Sequence, residues 1–248
     1  MTYLMLVRVP ADPVTTPQED DPEDWVETTN AAGQRIMGER LRPTDDATCV
    51  RVRDGHRLVT HGPFVEVAEQ IAGFDLLEVA DVDEAIGVAA RHPVARFGAL
   101  ELREMVTATD PGVLAQLAEL APPPEREPGD DRVDATYMLL MAAEPGAPTV
   151  EEAQIPDEGG LPMTWIRRWG EADADRGGAP LRPPAEAVTV RVRDGQTLVT
   201  RGPFAELAEQ VAGYNLLDVA DLDTALEAAA EHPGAHLGVI EVRPLWPF

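Results

Sequence analysis

The chain has 248 residues, 45 acidic side chains against 20 basic ones, and a formal net charge of −25. No lysine occurs, so every fixed cation is an arginine, and a field this negative repels phosphate backbones and argues against direct nucleic-acid binding. The single cysteine, Cys49, excludes an intrachain disulfide; no apolar run is long enough to cross a bilayer, and Met1–Val7 is too short for a signal peptide, so a cytoplasmic protein is expected.

The first unit starts with an apolar segment, Tyr3–Val9, that reads as a buried strand. Pro10–Asp24 is acidic and proline-rich and reads as a loop. Trp25–Arg40 is predicted as one helix, with Trp25, Thr29, Ala32, Ile36 and Met37 as its apolar stripe. Thr48–Arg53 alternates as a strand does. Asp54-Gly55 then supplies a two-residue hairpin turn, because a type I′ turn needs positive φ at both central positions. With that turn Arg53 faces His56, Val52 faces Arg57 and Val50 faces Val59, and His61 falls on the Val50/Val59 face. Gly62-Pro63-Phe64 breaks the return strand. Glu66–Gln70 reads as irregular and Ile71–Ala80 as a strand with a bulge or close backbone approach at Gly73. Asp81 and Glu84 form a capping box for a helix that His92-Pro93 ends. Gly98–Arg103 is the last strand.

The second half repeats the first. Residues 41–105 match 181–245 at a constant offset of 140, without a gap, with 37 identities in 65 positions. The expected organisation is therefore two units, 1–105 and 135–248, joined by 106–134, which holds a short helix over Asp110–Leu120 and the linker Ala121–Asp131. In the second unit Trp165–Arg176 is the first helix, Asp221–Glu231 the second, and Glu144–Pro162 the acidic early loop. Each unit reads as α+β, a sheet with helices on one face, and the second copy is the simplest cover for the other face.

The duplicated loop gathers the candidate polar residues. Histidine as a residue type suits proton transfer, so His61 suits a general base or a ligand contact at a strand end; its counterpart, Arg201, suits an anion. Glu66, Glu69 and Gln70 recur as Glu206, Glu209 and Gln210, either as ligand contacts or as partners of the loop backbone and of Arg51, Arg53, Arg191 or Arg193. Gly62, Pro63 and Phe64 recur as Gly202, Pro203 and Phe204 and read as structural. His92 and His232, each before proline at a helix end, suit partly cationic rings stabilised by the helix dipole. Cys49 recurs as Thr189, so the unit does not need a thiol and Cys49 reads as a buried strand residue. Trp25, Trp165 and Trp169 read as core or interface. No ligand spacing of the metal-site kind, phosphate loop, dinucleotide fingerprint or Gly-x-Ser-x-Gly elbow is present, so no metal and no cofactor are expected.

Val-Arg-Asp-Gly, Leu-Val-Thr-x-Gly-Pro-Phe-x-Glu, Glu-Gln-x-x-Gly-aromatic, Asp-x-Asp-x-Ala, His-Pro and Glu-Val-Arg occur in this order in both halves, the last as Glu-Leu-Arg in the first. In this the chain resembles the DGPF/YCII-related family. The resemblance implies two ferredoxin-like units of the dimeric α/β-barrel type, packed as an intramolecular pseudo-dimer; duplication removes the need to dimerise without forbidding a homodimer. The family's aspartate before Gly-Pro-Phe is His61 in one half and Arg201 in the other. The His–Asp pair of the YCII branch has no histidine on either first helix here, and His92 or His232 stands at its aspartate position, so that dyad is not carried over. The resulting expectation is a small-ligand-binding or regulatory accessory protein with its site in the cleft between barrel halves, near the Gly-Pro-Phe loops. The alternatives are a lyase- or isomerase-type enzyme on a small organic substrate with His61 as base, and, because some relatives are encoded beside extracytoplasmic-function sigma factors, a partner of such a factor.

Overall fold

The computed structural model describes residues 1–11, 21–65, 69–106, 135–144, 146–147, 163–205 and 209–246. The expected helix Asp110–Leu120 and the linker Ala121–Asp131 lie outside the described residues, as does most of Glu144–Pro162. The first repeat supplies β1 (Thr2–Pro10), α1 (Glu23–Ala31), β2 (Arg35–Arg40), β3 (Thr48–Arg53), β4 (His56–His61), β5 (Glu69–Glu78), α2 (Val82–Arg91) and β6 (Ala99–Glu104). The second supplies β7 (Ala135–Ala143), α3 (Met163–Glu171), β8 (Asp175–Pro180), β9 (Val188–Arg193), β10 (Gln196–Arg201), β11 (Gln210–Val219), α4 (Leu222–Glu231), α5 (Pro233–Leu237) and β12 (Val239–Pro244).

Two compact units result, and neither is one repeat taken whole. The first comprises Met1–Pro43, Glu66–Met105 and Leu181–Leu207; the second comprises Thr44–Val65, Val106–Pro180 and Ala208–Phe248. Each has a six-stranded antiparallel sheet, in the orders β10-β9-β6-β1-β5-β2 and β4-β3-β12-β7-β11-β8. The inner strands β6-β1-β5-β2, with α1 and α2 in the connections, follow the ferredoxin-like βαββαβ order. The hairpin inserted between β2 and β5 does not join this sheet. It joins the sheet built from the other repeat, where β3 lies beside β12 with Ile240 opposite Val50, Glu241 opposite Cys49 and Val242 opposite Thr48. In return β9 lies beside β6, with Leu100 opposite Val190, Glu101 opposite Thr189 and Leu102 opposite Val188.

The hairpin register is the expected one, from Arg53 opposite His56 to Thr48 opposite His61. Asp54 and Asp194 have φ of 51°, and Gly55 and Gly195 have 75° and 74°, as a type I′ turn requires. The irregularity expected near Gly73 is a bulge: Val7 faces Gly73 but Arg8 faces Ile71, leaving Ala72 as the extra residue. A Cβ on Gly73 would lie 2.9 Å from the Glu39 carbonyl oxygen, so the strands also approach closely there. Asp81 caps α2 by accepting from the Glu84 amide at 2.9 Å, and the Glu84 carboxylate accepts from the Ala80 amide at 2.7 Å.

The helix predicted over Trp25–Arg40 is a shorter helix and a strand. Gly33, at φ +66°, ends α1 by a left-handed turn, and the Gln34 amide donates to the Thr29 carbonyl at 2.9 Å. Residues 35–40 then pair with β5, and Ile36 is exposed rather than part of a buried stripe. The second repeat behaves alike: Asp173, at φ 56°, follows α3, and β8 takes the place of the last helical turns predicted up to Arg176.

In the first unit the helices cover the sheet face of Tyr3, Met5, Val7, Leu77, Leu100 and Leu102, and Val188 and Val190 of the exchanged hairpin complete that core. In the second, Val50 and Val52 join Leu139, Leu217, Ile240, Val242, Trp165 and Trp169. No helix among the described residues is long and apolar enough to cross a membrane. Val50 and Val190 are both fully buried. Val50→Ala and Val190→Ala should therefore each lower stability by about 2 kcal/mol in urea unfolding. Thr197→Ala, on the exposed strand β10, should change it by less than about 0.5 kcal/mol. Valine variants as mild as Thr197→Ala would show that the exchanged hairpins do not complete the cores.

Candidate functional site

Each exchanged hairpin is fastened by the two arginines of its Val-Arg-Val-Arg segment. Arg51 Nη2 donates to both oxygens of Glu209 at 2.7 Å, and Arg191 Nη2 donates to Glu69 at 3.1 Å. Arg53 donates to the carbonyls of Ala235 at 2.9 Å, His236 at 3.1 Å and Gly238 at 2.9 Å, where α5 ends and backbone acceptors lack helical partners. Arg193 does the same to Ala95 at 2.7 Å and Gly98 at 3.1 Å. Glu69 and Glu209 thus engage arginines donated by the opposite repeat. Gln70 is half-buried and Gln210 buried, at the starts of β5 and β11. Glu66 and Glu206 lie outside the described residues.

Beyond each hairpin the chain turns at Gly62 (φ +95°) or Gly202 (φ +107°), whose amides donate to Ala47 at 2.8 Å and Ala187 at 2.7 Å. Pro63 and Pro203 follow, and Phe64 and Phe204 are then laid over the receiving sheet on the face opposite the helices. Phe64 packs against Cys49, Ala142 and Val239. Its amide donates to Glu241 Oε2 at 3.0 Å, and Arg243 donates to Glu241 Oε1 at 2.6 Å, both side chains of that pair being buried. The Cys49 thiol donates to the Gly62 carbonyl at 3.2 Å; burial pushes it up to about 12, so it stays protonated, and Thr189 occupies the same relation to Gly202 at 3.5 Å. In the first unit Glu101 Oε2 accepts from Arg8 Nε at 2.8 Å and Nη2 at 2.7 Å, while Arg103 reaches Glu101 Oε1 only at 3.5 Å. The Phe204 ring lies 4.8 Å from the Arg8 guanidinium and 5.0 Å from that of Arg191.

His61 and Arg201 stand elsewhere. They are exposed at the ends of β4 and β10, opposite Thr48 and Val188, on the side of the hairpin that faces the helices. Within the second unit this is the sheet face opposite Cys49, Arg51, Glu241 and Phe64. Sequence reasoning passed over the buried Glu101/Arg103 and Glu241/Arg243 pairs and Arg8. The signal for the first two was available: a Glu-x-Arg inside an otherwise apolar strand, present in both halves. Nothing around Arg8 distinguishes it from a strand-terminating charge.

His92 and His232 are not cationic helix caps. Each ring is buried and accepts at Nδ1 from an amide two residues on, Val94 at 3.2 Å and Gly234 at 2.9 Å, so Nε2 carries the proton. Each meets a tryptophan edge-on, Trp25 at 4.6 Å and Trp165 at 5.0 Å, and those indoles donate to the Val88 and Ala228 carbonyls at 3.0 and 2.8 Å. Burial lowers both imidazoles to about 3, chiefly by excluding water from the charged form.

A family model described as the YCII-related domain matches residues 1–109 and again residues 136–248. An uncharacterized protein of Rhizobium meliloti (strain 1021) is 46% identical over 69 residues, which is 27% of this chain and 56% of that protein. The chain thus spans just over half the length of that curated relative.

The buried histidines fix the sign of a pH effect. Their folded values lie below the unfolded value of 6.5, so full stability is present above pH 6.5 and is lost as pH falls toward about 3. The loss amounts to at most roughly 1.4 kcal/mol per pH unit for each ring. Urea midpoints between pH 6.5 and 5 should fall more steeply for the natural chain than for a His92→Asn/His232→Asn variant, whose Oδ1 atoms can still accept from the capping amides. Equal slopes would place the acid sensitivity elsewhere.

Proposed function

Because the chain belongs to the YCII-related family, whose matches cover 1–109 and 136–248, and because the family's His–Asp dyad has no counterpart here, we propose that it binds a small ligand in a regulatory or accessory role rather than as a catalyst. The ligand meets the Gly-Pro-Phe loops on the sheet face opposite the helices. The observation that supports this reading is the buried charge beneath each loop, Glu101 with Arg8 and Arg103 in one unit and Glu241 with Arg243 in the other. Buried ion pairs contribute little net stability, and polar groups of this kind fix a ligand's orientation in an otherwise apolar site. The proposal includes the arrangement that the family resemblance implies, with the repeat units 1–105 and 135–248 forming one dimeric α/β-barrel within the chain.

Catalysis with His61 as base is the weaker reading. An exposed imidazole on the helix-facing side of an edge strand has no charged groups of the Phe64 cluster on its own face to orient a substrate. A sigma-factor-type partner rests on the family resemblance alone.

Thermal unfolding of the full chain with a panel of small aromatic and polar metabolites tests the proposal. A true ligand at a hundredfold excess over its Kd should raise the midpoint by roughly 5 °C. Its effect should persist in His61→Ala and weaken in Arg191→Ala. No shift from any compound would count against ligand binding, and turnover lost in His61→Ala would favour the enzyme.

A further inference from the structure

One difference between the repeats changes the charge on the sheet face beneath the loops. Arg8 lies opposite Ala99 and Ile71 on the neighbouring strands. Ala142 occupies the same place in the second unit, opposite Val239 and Val211. The substitution adds a guanidinium to a site that already holds an arginine and one carboxylate. In the second unit Arg243 pairs with Glu241 at 2.6 Å. In the first, Arg8 holds Glu101 at 2.7 Å and Arg103 is left with a contact of 3.5 Å and the Arg182 carbonyl at 2.9 Å. All three side chains are at most 6% exposed. Among the described residues these two guanidiniums share one carboxylate, and a buried cation is costly without close pairing.

The geometry points to a subsite for an aromatic carboxylate in the first unit, built on Arg8 and absent from the second; this rests on the ligand-binding reading above and names its ligand class. Guanidinium groups take carboxylates through paired N–H donors, which suits Arg8 and Arg103 together. The aromatic part follows from Phe204, whose ring already lies within 5.0 Å of two guanidiniums, Arg8 and Arg191. Access is from the side of Arg191 and Glu69, whose side chains are 28% and 21% exposed.

Calorimetric titration of the full chain with benzoate and with its neutral isostere benzamide tests the inference. Benzoate should bind at one site per chain, at least about tenfold more tightly than benzamide, and Arg8→Ala should weaken it at least about tenfold. Arg8→Ala installs the side chain that the second repeat carries at this place, so a folded protein is expected, and thermal melting verifies it. Should that variant not melt cooperatively, the comparison of benzoate with benzamide on the natural chain decides alone. Equal binding of the two probes, unchanged affinity in a folded Arg8→Ala variant, two equivalent benzoate sites or no benzoate binding would overturn the inference. If some other, uncharged compound of the metabolite panel stabilises the protein, the ligand-binding reading survives that result; if no compound does, both fall.

Discussion

The attachment of each hairpin to the sheet of the opposite repeat is the constraint on which the rest of this structure depends. It is made at three levels. Backbone pairing of β3 with β12 and of β9 with β6 sets the register. Val50 and Val190 carry apolar surface into the receiving cores. Arg53 and Arg193 occupy carbonyls at the ends of short helical turns that have no backbone donors of their own, and Arg51 and Arg191 add ion pairs to Glu209 and Glu69. Those ion pairs are partly exposed and contribute on the order of 1 kcal/mol or less. The valines, being fully buried, contribute more. Every consequence at the Gly-Pro-Phe loops follows from this attachment, since Phe64 and Phe204 reach Glu241 and Arg8 only because their hairpins have crossed over.

Duplication within one chain allows the two copies of such a site to diverge. A homodimer of single units would carry the same residue at both positions; here Arg8 faces one loop and Ala142 the other, and Cys49 and Thr189 make the same loop contact with different chemistry. What is held constant is what the exchange needs: the Asp-Gly turn, the paired arginines, the Glu-x-Arg strand and the glutamate that meets the donated arginine. What differs is the polar content beneath and beside the phenylalanines.

Much of this fold was legible in the sequence because local rules act locally. The Asp54-Gly55 turn dictated the hairpin register, the Asp81/Glu84 box started α2, and Gly73 marked the bulge and the close strand approach. β2 was not legible, because Arg35–Arg40 lacks alternation and its strand identity comes from pairing with β5, a tertiary effect. The exchange could not be read either: β3 fits β12 and β6 equally well by pattern, since Val242 and Leu102 are equivalent positions of a repeat. At the site, Glu69 and Glu209 stood out by recurrence, with both a ligand and an arginine as candidate partners, and the structure gives them arginines of the opposite hairpin. The buried His92 and His232 were misread as cationic because position at a helix end says nothing about desolvation.

The exchange itself is the central claim, and disulfide trapping in the full chain tests it directly. In a Cys49→Thr background, which gives the first repeat the residue of the second, Leu102→Cys with Val188→Cys places the new thiols on facing residues of β6 and β9. Facing residues of antiparallel strands have Cα atoms about 4.5–5.5 Å apart, within disulfide range. The exchanged arrangement predicts rapid intramolecular oxidation of this pair and none for Val188→Cys with Val242→Cys. Hairpins retained by their own repeats would give the reverse, with Val188→Cys and Val242→Cys closing and Leu102→Cys and Val188→Cys remaining free.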